Sequence, residues 1–553
     1  MDNIRLFVWM SLLAMIWLVY RQWLFDYAPA PADTSAPTVE TELPAVPSGS
    51  PLASAGDLPS LDATPANLVP PLAAADTGAP TAPIHVRTDV LDLTIDPRGG
   101  DLVRADIPEY PVDKTNPDVP VRLLDYAPAS RWVYQSGYRS TEGGNEPNHL
   151  AQFTSAASDY SLAPGQDELV VELDWADAGP IRARKVYRFE RGSYAIALNI
   201  EVENRSAEPW TGVPYVQLVR LHVPAQRSYT SVDSYSFRGP VLYNGERYQK
   251  LDVDDLAAAP LSEVVTGGWL AGIEHHFLAA AVPPTDEPAT LQATMRGMEY
   301  LLTALSQPRQ LAPGQRAEYP LELFVGPKIQ AQLAQTADEL ELTVDYGKLT
   351  IIAQPLFWLL SHVHGLVGNW GWSIILVTLM IKLAFYKLTE ASGKSMAKMR
   401  KVQPRLKAMQ ERYKDDRQAL SQAMMKLYKE EKINPAAGCL PILIQMPFFF
   451  AFYWVLIESV EIRQAPFMLW INDLSVRDPF FVLPLLMGAA MLLQTRLNPA
   501  PPDPIQAKVM QIMPIAFTAM FAFFPAGLVL YWLTNTGLSI LQQWRINKVI
   551  AAT

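Results

Sequence analysis

Lys382 is the residue whose chemistry most needs an explanation. It stands in Ser373-Ile-Ile-Leu-Val-Thr-Leu-Met-Ile-Lys-Leu-Ala-Phe385 as the one ionisable group of an apolar stretch. A lysine near mid-bilayer costs roughly 2.5–3.5 kcal/mol on insertion scales, so something must compensate it. Two readings stay open. In one, the ammonium snorkels toward the boundary marked by Lys387, about 7.5 Å further along a straight helix. In the other, it faces a wet cavity between helices, open to the cytoplasm. Nearby apolar stretches offer polar company for such a cavity: Thr378 one turn earlier, then Gln445, Trp532, Thr534 and Asn535. Each alone reads as an ordinary interhelical hydrogen-bonding group. Together with a cation they outline a polar groove. No Asp or Glu lies within these stretches to neutralise Lys382, which argues against a fixed buried pair.

Other chemistry-bearing patterns do not hold up. Gly393-Lys394-Ser395 is like the end of a phosphate-binding loop, but Leu388 stands where that loop needs glycine. There is no G-x-S-x-G or H-E-x-x-H. The adjacent His275 and His276, expected on a strand, would point to opposite faces and not share a metal. The single cysteine, Cys439, cannot form an internal disulfide and reads as a small buried hydrophobe. The expectation is therefore no catalytic residue, no metal, no cofactor and no enzyme activity.

The elements that must position Lys382 follow from charge and hydropathy. The formal charge is -11, but it is unevenly spread. Residues 24–350 hold 23 Lys/Arg against 44 Asp/Glu, a net of -21, whereas residues 351–553 hold 20 against 11, a net of +9. Such an asymmetry places the two halves in different surroundings. Residues 1–24 read as an uncleaved transmembrane anchor, with an apolar run from Leu6 to Tyr20. Residues 25–83 read as an extended linker; from 28 to 83 there are 12 prolines and no Lys or Arg. Residues 84–327 alternate apolar and polar side chains in short runs between turns, as in Arg184–Phe189 and Tyr194–Ile200 around Arg191-Gly192-Ser193. That pattern predicts an antiparallel β-sandwich. Residues 328–350 predict an amphipathic interfacial helix, with Ile329, Leu333, Ala337 and Leu340 on one face.

Residues 351–548 predict a helical membrane core. Its spans fall at about 371–386, 439–457, 480–495, 509–523 and 527–545, with the first part of the long apolar run after Ile351 lying at the interface and Phe524-Pro525-Ala526-Gly527 turning between the last two spans. The loop 387–434 has 13 Lys/Arg against 6 Asp/Glu, and the loop 458–478 has 2 against 4. Positive loops stay inside, so the first is cytoplasmic and the second periplasmic. The β-domain is then periplasmic, and both termini are cytoplasmic. Within 387–434, Met396, Met399, Val402, Leu406 and Met409 repeat at helical spacing, as do Leu420, Met424 and Leu427. Two short helices around Lys414-Asp415-Asp416 make a helical hairpin. Its Met-rich seam is either the hairpin's own packing or an adaptable surface for apolar client segments. Phe449 and its neighbours, with Phe517 and Phe521, offer broad apolar faces that read most simply as packing or lipid-facing, and otherwise, with Met446, as a client-contact surface.

Several motifs together resemble one family. Ser395-Met-Ala-Lys-Met399, Val402-Gln-Pro404, Gly438-Cys-Leu-Pro-Ile-Leu-Ile-Gln-Met-Pro447, Arg463-Gln-Ala-Pro466 and Phe524-Pro-Ala-Gly-Leu-Val-Leu-Tyr531 are similar to the YidC insertases of Gram-negative bacteria. Asp92-Leu-Thr-Ile-Asp-Pro-Arg-Gly-Gly100 and Gly368-Asn-Trp-Gly371 extend the likeness over nearly the whole chain except the linker. The resemblance implies a five-helix core with a cytoplasmic hairpin, a periplasmic super-sandwich, and insertion of nascent membrane proteins. It also implies work alone or beside the Sec translocon, docking of ribosomes, contact with membrane lipid, and no nucleic-acid substrate. By position, Lys382 falls on the family's groove cation, usually Arg, so the charge is kept and the guanidinium fork is lost. Thr378, Gln445 and Trp532 fall on groove-lining positions, and Met446, Phe449 and Phe517 near the client-contact surface. The tail ends at Lys548-Val-Ile-Ala-Ala-Thr553 without the basic extension of some relatives, which puts tail-mediated ribosome binding in doubt. Two rival classes stand beside this reading: a secondary transporter, although no repeated halves are visible, and a membrane-anchored carbohydrate-binding or carbohydrate-modifying enzyme.

Overall fold

The computed structural model describes residues 82–552 apart from 142–145, 178, 225–235, 414–415, 432–439 and 498–503. The expected anchor, nearly all of the linker and Cys439 lie outside the described residues.

Strands run from Ile84–Arg87 to Arg316–Pro327 and form sheets of five, nine and six members. Residue alternation dictates their pairing. In Ala195–Asn204, the residues Ile196, Leu198, Ile200 and Val202 are all buried, and the intervening positions are half-exposed. This strand runs antiparallel to Ile181–Glu190, with Ile196 opposite Phe189 and Ile200 opposite Lys185. The turn between them needs Gly192 at φ +71°, where a side chain would be strained. One pairing departs from the antiparallel expectation: Ile84–Arg87 runs parallel to Asp159–Ser161. The histidine pair is also a correction. His275 and His276 lie in the turn between Trp269–Ile273 and Phe277–Val282, not on a strand, and their rings stack with centroids 3.7 Å apart. Burial holds the His275 imidazole down to about 3, so it sits there neutral.

Residues 328–350 do not form one helix. A short helix, Gln330–Thr336, ends where Ala337 turns extended, and Glu339 takes a left-handed conformation at φ 60°. Single-turn helices Leu340–Thr343 and Gly347–Leu349 follow. The apolar stripe is real, but it docks on protein. Leu333 and Leu340 are fully buried in the same core as the β-sheets. Burial of that stripe in the protein core outweighs the few hydrogen bonds a continuous helix would add.

The helical region follows. Helix Thr350–Val367 stops at Gly368, which takes the left-handed conformation, and Asn369 then caps Trp370–Ala384 by accepting from the amide of Trp372. Among the described residues Gly347–Val367 is the one helix long and apolar enough by itself to cross a membrane; Trp370–Ala384 and Tyr386–Ser395 pass that test together, but they are bent by 65°. A methyl group at Gly371 would collide with the ring of Phe467, so glycine permits this loop to lie against the helix. Beyond residue 440 the α-helices are Leu440–Glu458, Val482–Leu497, Pro504–Phe521 and Ala526–Ala552. The turn before the last helix is pinned by the loop after Leu440–Glu458, because the amides of Ala526 and Gly527 donate to the carbonyls of Val476 and Leu474 at 2.7 and 2.9 Å.

Candidate functional site

The polar residues expected around Lys382 come from three helices. Lys382 sits in the last turn of Trp370–Ala384, just before the bend at Phe385. Because the chain turns there, the straight 7.5 Å path to Lys387 does not exist. The Lys382 ammonium instead donates to Ser539 Oγ on the last helix at 2.8 Å. Ser539 Oγ in turn donates to the carbonyl of Asn535 at 2.8 Å, one turn back on its own helix. The side chain of Asn535 accepts from Gln445 Nε2, on Leu440–Glu458, at 2.7 Å. A continuous polar seam thus joins Gln445, Asn535, Ser539 and Lys382. Each is half-buried, and hydrogen bonding offsets the cost of placing them among apolar neighbours.

The structure does not draw every expected groove residue into this seam. Thr378 is 1% exposed, and its hydroxyl turns back to the carbonyl of Ile374 at 2.6 Å. That bond satisfies it within its own helix, so it packs as part of the core. Thr534 is half-buried beside Asn535, but the seam runs through Asn535. Trp532 lies with its ring 4.7 Å from Phe449 and 5.5 Å from Phe521. Its buried Nε1 has no hydrogen-bond partner among the described residues. Ser539 was missed by sequence reasoning. The signal was present: Trp532, Asn535 and Ser539 are spaced by three and four, which puts them on one helix face.

The expected client-contact residues divide. Met446 is exposed, and Phe449 and Phe517 are half-buried. Phe521 is a correction: it is 2% exposed and packed against Phe517, Phe524 and Trp532. The turn at 522–525 folds the last helix back over it, which buries the ring.

The hairpin consists of Tyr386–Arg412 and Arg417–Glu430, the second capped by Asp416, which accepts from the amides of Gln418 and Ala419. Val402, Leu406, Met424 and Leu427 form its small buried core, with Met399 and Met409 packed against it. The side chain of Met396 lies outside the described residues. Met399, Met409 and Met424 therefore belong to the hairpin's own seam. The hairpin's base is fastened to the core, because Gln542 Nε2 donates to the carbonyl of Tyr386 at 3.2 Å.

At the other end of the bundle, the β-domain is bound to the loop after Leu440–Glu458. Ser236 Oγ donates to Glu458 at 2.6 Å, Arg463 Nη2 to the carbonyl of Pro111 at 2.8 Å, and Lys114 Nζ to the carbonyl of Gln464 at 2.7 Å. A cavity of about 1310 Å³ lies between the two parts. Its lining carries charges of both signs, among them Arg122, Arg220, Arg238 and Arg463 with Asp125, Glu274 and Asp473. Nearby, burial pushes the carboxyl of Glu461 up to about 7.

Comparison with known proteins identifies the family. Residues 362–553 match the family model described as 60Kd inner membrane protein, and residues 83–359 match the YidC periplasmic domain. The membrane protein insertase YidC of Thioalkalivibrio sulfidiphilus (strain HL-EbGR7) is 46% identical over 565 residues, covering 100% of this chain and 99% of that protein. That of Pseudomonas fluorescens (strain Pf0-1) is 45% identical over 566 residues, with the same coverage. Among solved structures, a crystal structure of an active YidC insertase with its first transmembrane domain resolved is similar at a TM-score of 0.38 and 20% identity, over 83% of this chain and 92% of that one. The chain belongs to the YidC family of membrane protein insertases.

Proposed function

We propose that this chain inserts nascent proteins into the bacterial inner membrane through a groove lined by Lys382, Ser539, Asn535 and Gln445. The observation that carries the reading is the direction of the Lys382 ammonium, which points into the bundle toward Ser539 Oγ at 2.8 Å. A cation held among helices with neutral partners keeps its field for an incoming group. A client's polar tail enters this groove from the cytoplasm, acidic tails being drawn to Lys382. Its apolar segment leaves along Met446, Phe449 and Phe517 into lipid. Burial of that segment in lipid, aided for acidic tails by the membrane potential, drives release.

The topology that serves this mechanism has five core spans after an N-terminal anchor, with both termini cytoplasmic. The basic hairpin 387–434 is then inside and the acidic β-domain outside. Helix Thr350–Val367 lies along the membrane surface in this arrangement. Were it to cross, the acidic domain and the basic hairpin would share one side, against the charge rule. Membership of the family supports clients, the Sec translocon and ribosomes as partners, with the hairpin as the receiving surface.

The test is charge reversal. Full-length chain carrying Lys382→Glu, reconstituted in liposomes, is expected to insert clients with acidic tails about tenfold less well or worse, as like charges replace attraction. Undiminished insertion of those clients overturns the electrostatic part of the reading.

A further inference from the structure

Lys382 meets a neutral hydroxyl, and that hydroxyl is itself committed. Ser539 Oγ has one proton and two lone pairs. Its proton goes to the carbonyl of Asn535 at 2.8 Å, so it presents only acceptor character to the ammonium 2.8 Å away. The side chain of Asn535 is itself engaged by Gln445 of another helix. Thus the orientation of the acceptor hydroxyl is set within its own helix before the lysine arrives.

From this we infer that Ser539 is a positioning residue for the groove cation: it holds the ammonium inside the bundle without neutralising it, and gives it up to a client carboxylate. The inference rests on the reading of the groove given above. Three physical alternatives show why a hydroxyl suits the task. An apolar residue at 539 would leave the ammonium without an acceptor, and its flexible stem would carry it toward water. A carboxylate at 539 would form a charge-assisted hydrogen bond about twice as strong as a neutral one, and the client would have to break it. A hydroxyl satisfies one of the three ammonium donors and leaves the charge whole. A client carboxylate then replaces a neutral partner by a charged one, an exchange favourable in a half-buried site.

The experiment uses full-length chain in liposomes and two clients that differ only in tail residues, Asp against Asn. The readout is the ratio of acidic-tailed to amide-tailed insertion, normalised to the amount of each variant in the liposomes. The wild-type ratio is expected to exceed one. Ser539→Ala lowers it severalfold toward one, Ser539→Thr brings it back by restoring the hydroxyl, and Ser539→Asp lowers it by occupying the cation. A role in helix packing alone would reduce both clients together and leave the ratio untouched. An unchanged ratio in Ser539→Ala, or a failure of Ser539→Thr to raise it above the Ala level, overturns the inference while leaving the groove reading in place. A wild-type ratio of one sinks the groove reading, and this inference with it.

Discussion

Two buried lysines in this molecule are treated in opposite ways. In the β-domain, Lys185 is fully buried, and its ammonium lies 2.6 Å from Asp101, 2.7 Å from Ser136 Oγ and 3.1 Å from the carbonyl of Ser136. Asp101 also accepts from the amide and hydroxyl of Ser136, each at 3.0 Å. The three residues come from strands of the five-, nine- and six-stranded sheets, so one ion pair ties the whole domain together. Burial pushes the Asp101 carboxyl up and the Lys185 ammonium down, and each partner offsets the other's loss of water. In the helical core, Lys382 is half-buried, and its ammonium donates to the hydroxyl of Ser539. A scaffold cancels its internal charge. The proposed groove keeps it.

The comparison can be broken most sharply by the same substitution at both lysines. Lys185→Met strands a buried carboxylate and is expected to cost ~3–5 kcal/mol, read as a lower midpoint for unfolding of the β-domain in denaturant. Lys382→Met strands no charge. It is expected to stabilise the helical core, by at most ~2.5–3.5 kcal/mol on insertion scales, while selectively weakening insertion of acidic-tailed clients. Equal destabilisation at both sites would mean that Lys382 has a fixed ionic partner after all, and the contrast would fall.

A third test lies at the junction of the two regions. Glu461 is buried there, with its carboxyl raised from 4.5 to about 7 mainly by loss of water. The folded state therefore binds its proton more tightly than the unfolded chain does. Stability from this group is fully present below about 4.5 and is lost as pH rises through about 7. Glu461→Gln should remove that dependence, giving ~1–3 kcal/mol more stability at pH above 7 and no gain in acid. Measuring the unfolding midpoint of both forms across this range decides it. A gain that is the same at every pH would show that Glu461 does not titrate on folding.

Much of the helical region was legible because it is organised by short-range rules. A helix face repeats at three and four residues, so Val402, Leu406, Met424 and Leu427 could be paired before any coordinates, and they form the hairpin's buried core. Gln445 and Asn535 stood out as polar residues in apolar runs, and they meet at 2.7 Å. What escaped was whatever depends on how one helix ends against another. The bend at Phe385 removes the straight route from Lys382 to Lys387. Ser539 looked like any small helical residue until the lysine was placed beside it. Phe521 looked like a free apolar face until the following turn buried it. In 328–350 the apolar periodicity was read correctly, but the surface it meets was not. Leu333 and Leu340 bury against the β-domain, and the chain breaks its helix to reach it.

The amino-acid sequence alone determined the division of charge, the alternation that makes sheets, the apolar runs that make helices, and the presence of one cation among them. These follow from local periodicity and from the free energy of moving side chains out of water, which each residue carries with it. Only the tertiary structure decided which acceptor each buried cation meets. That outcome depends on residues far apart in the chain arriving within about 3 Å of each other, and no local pattern encodes that distance.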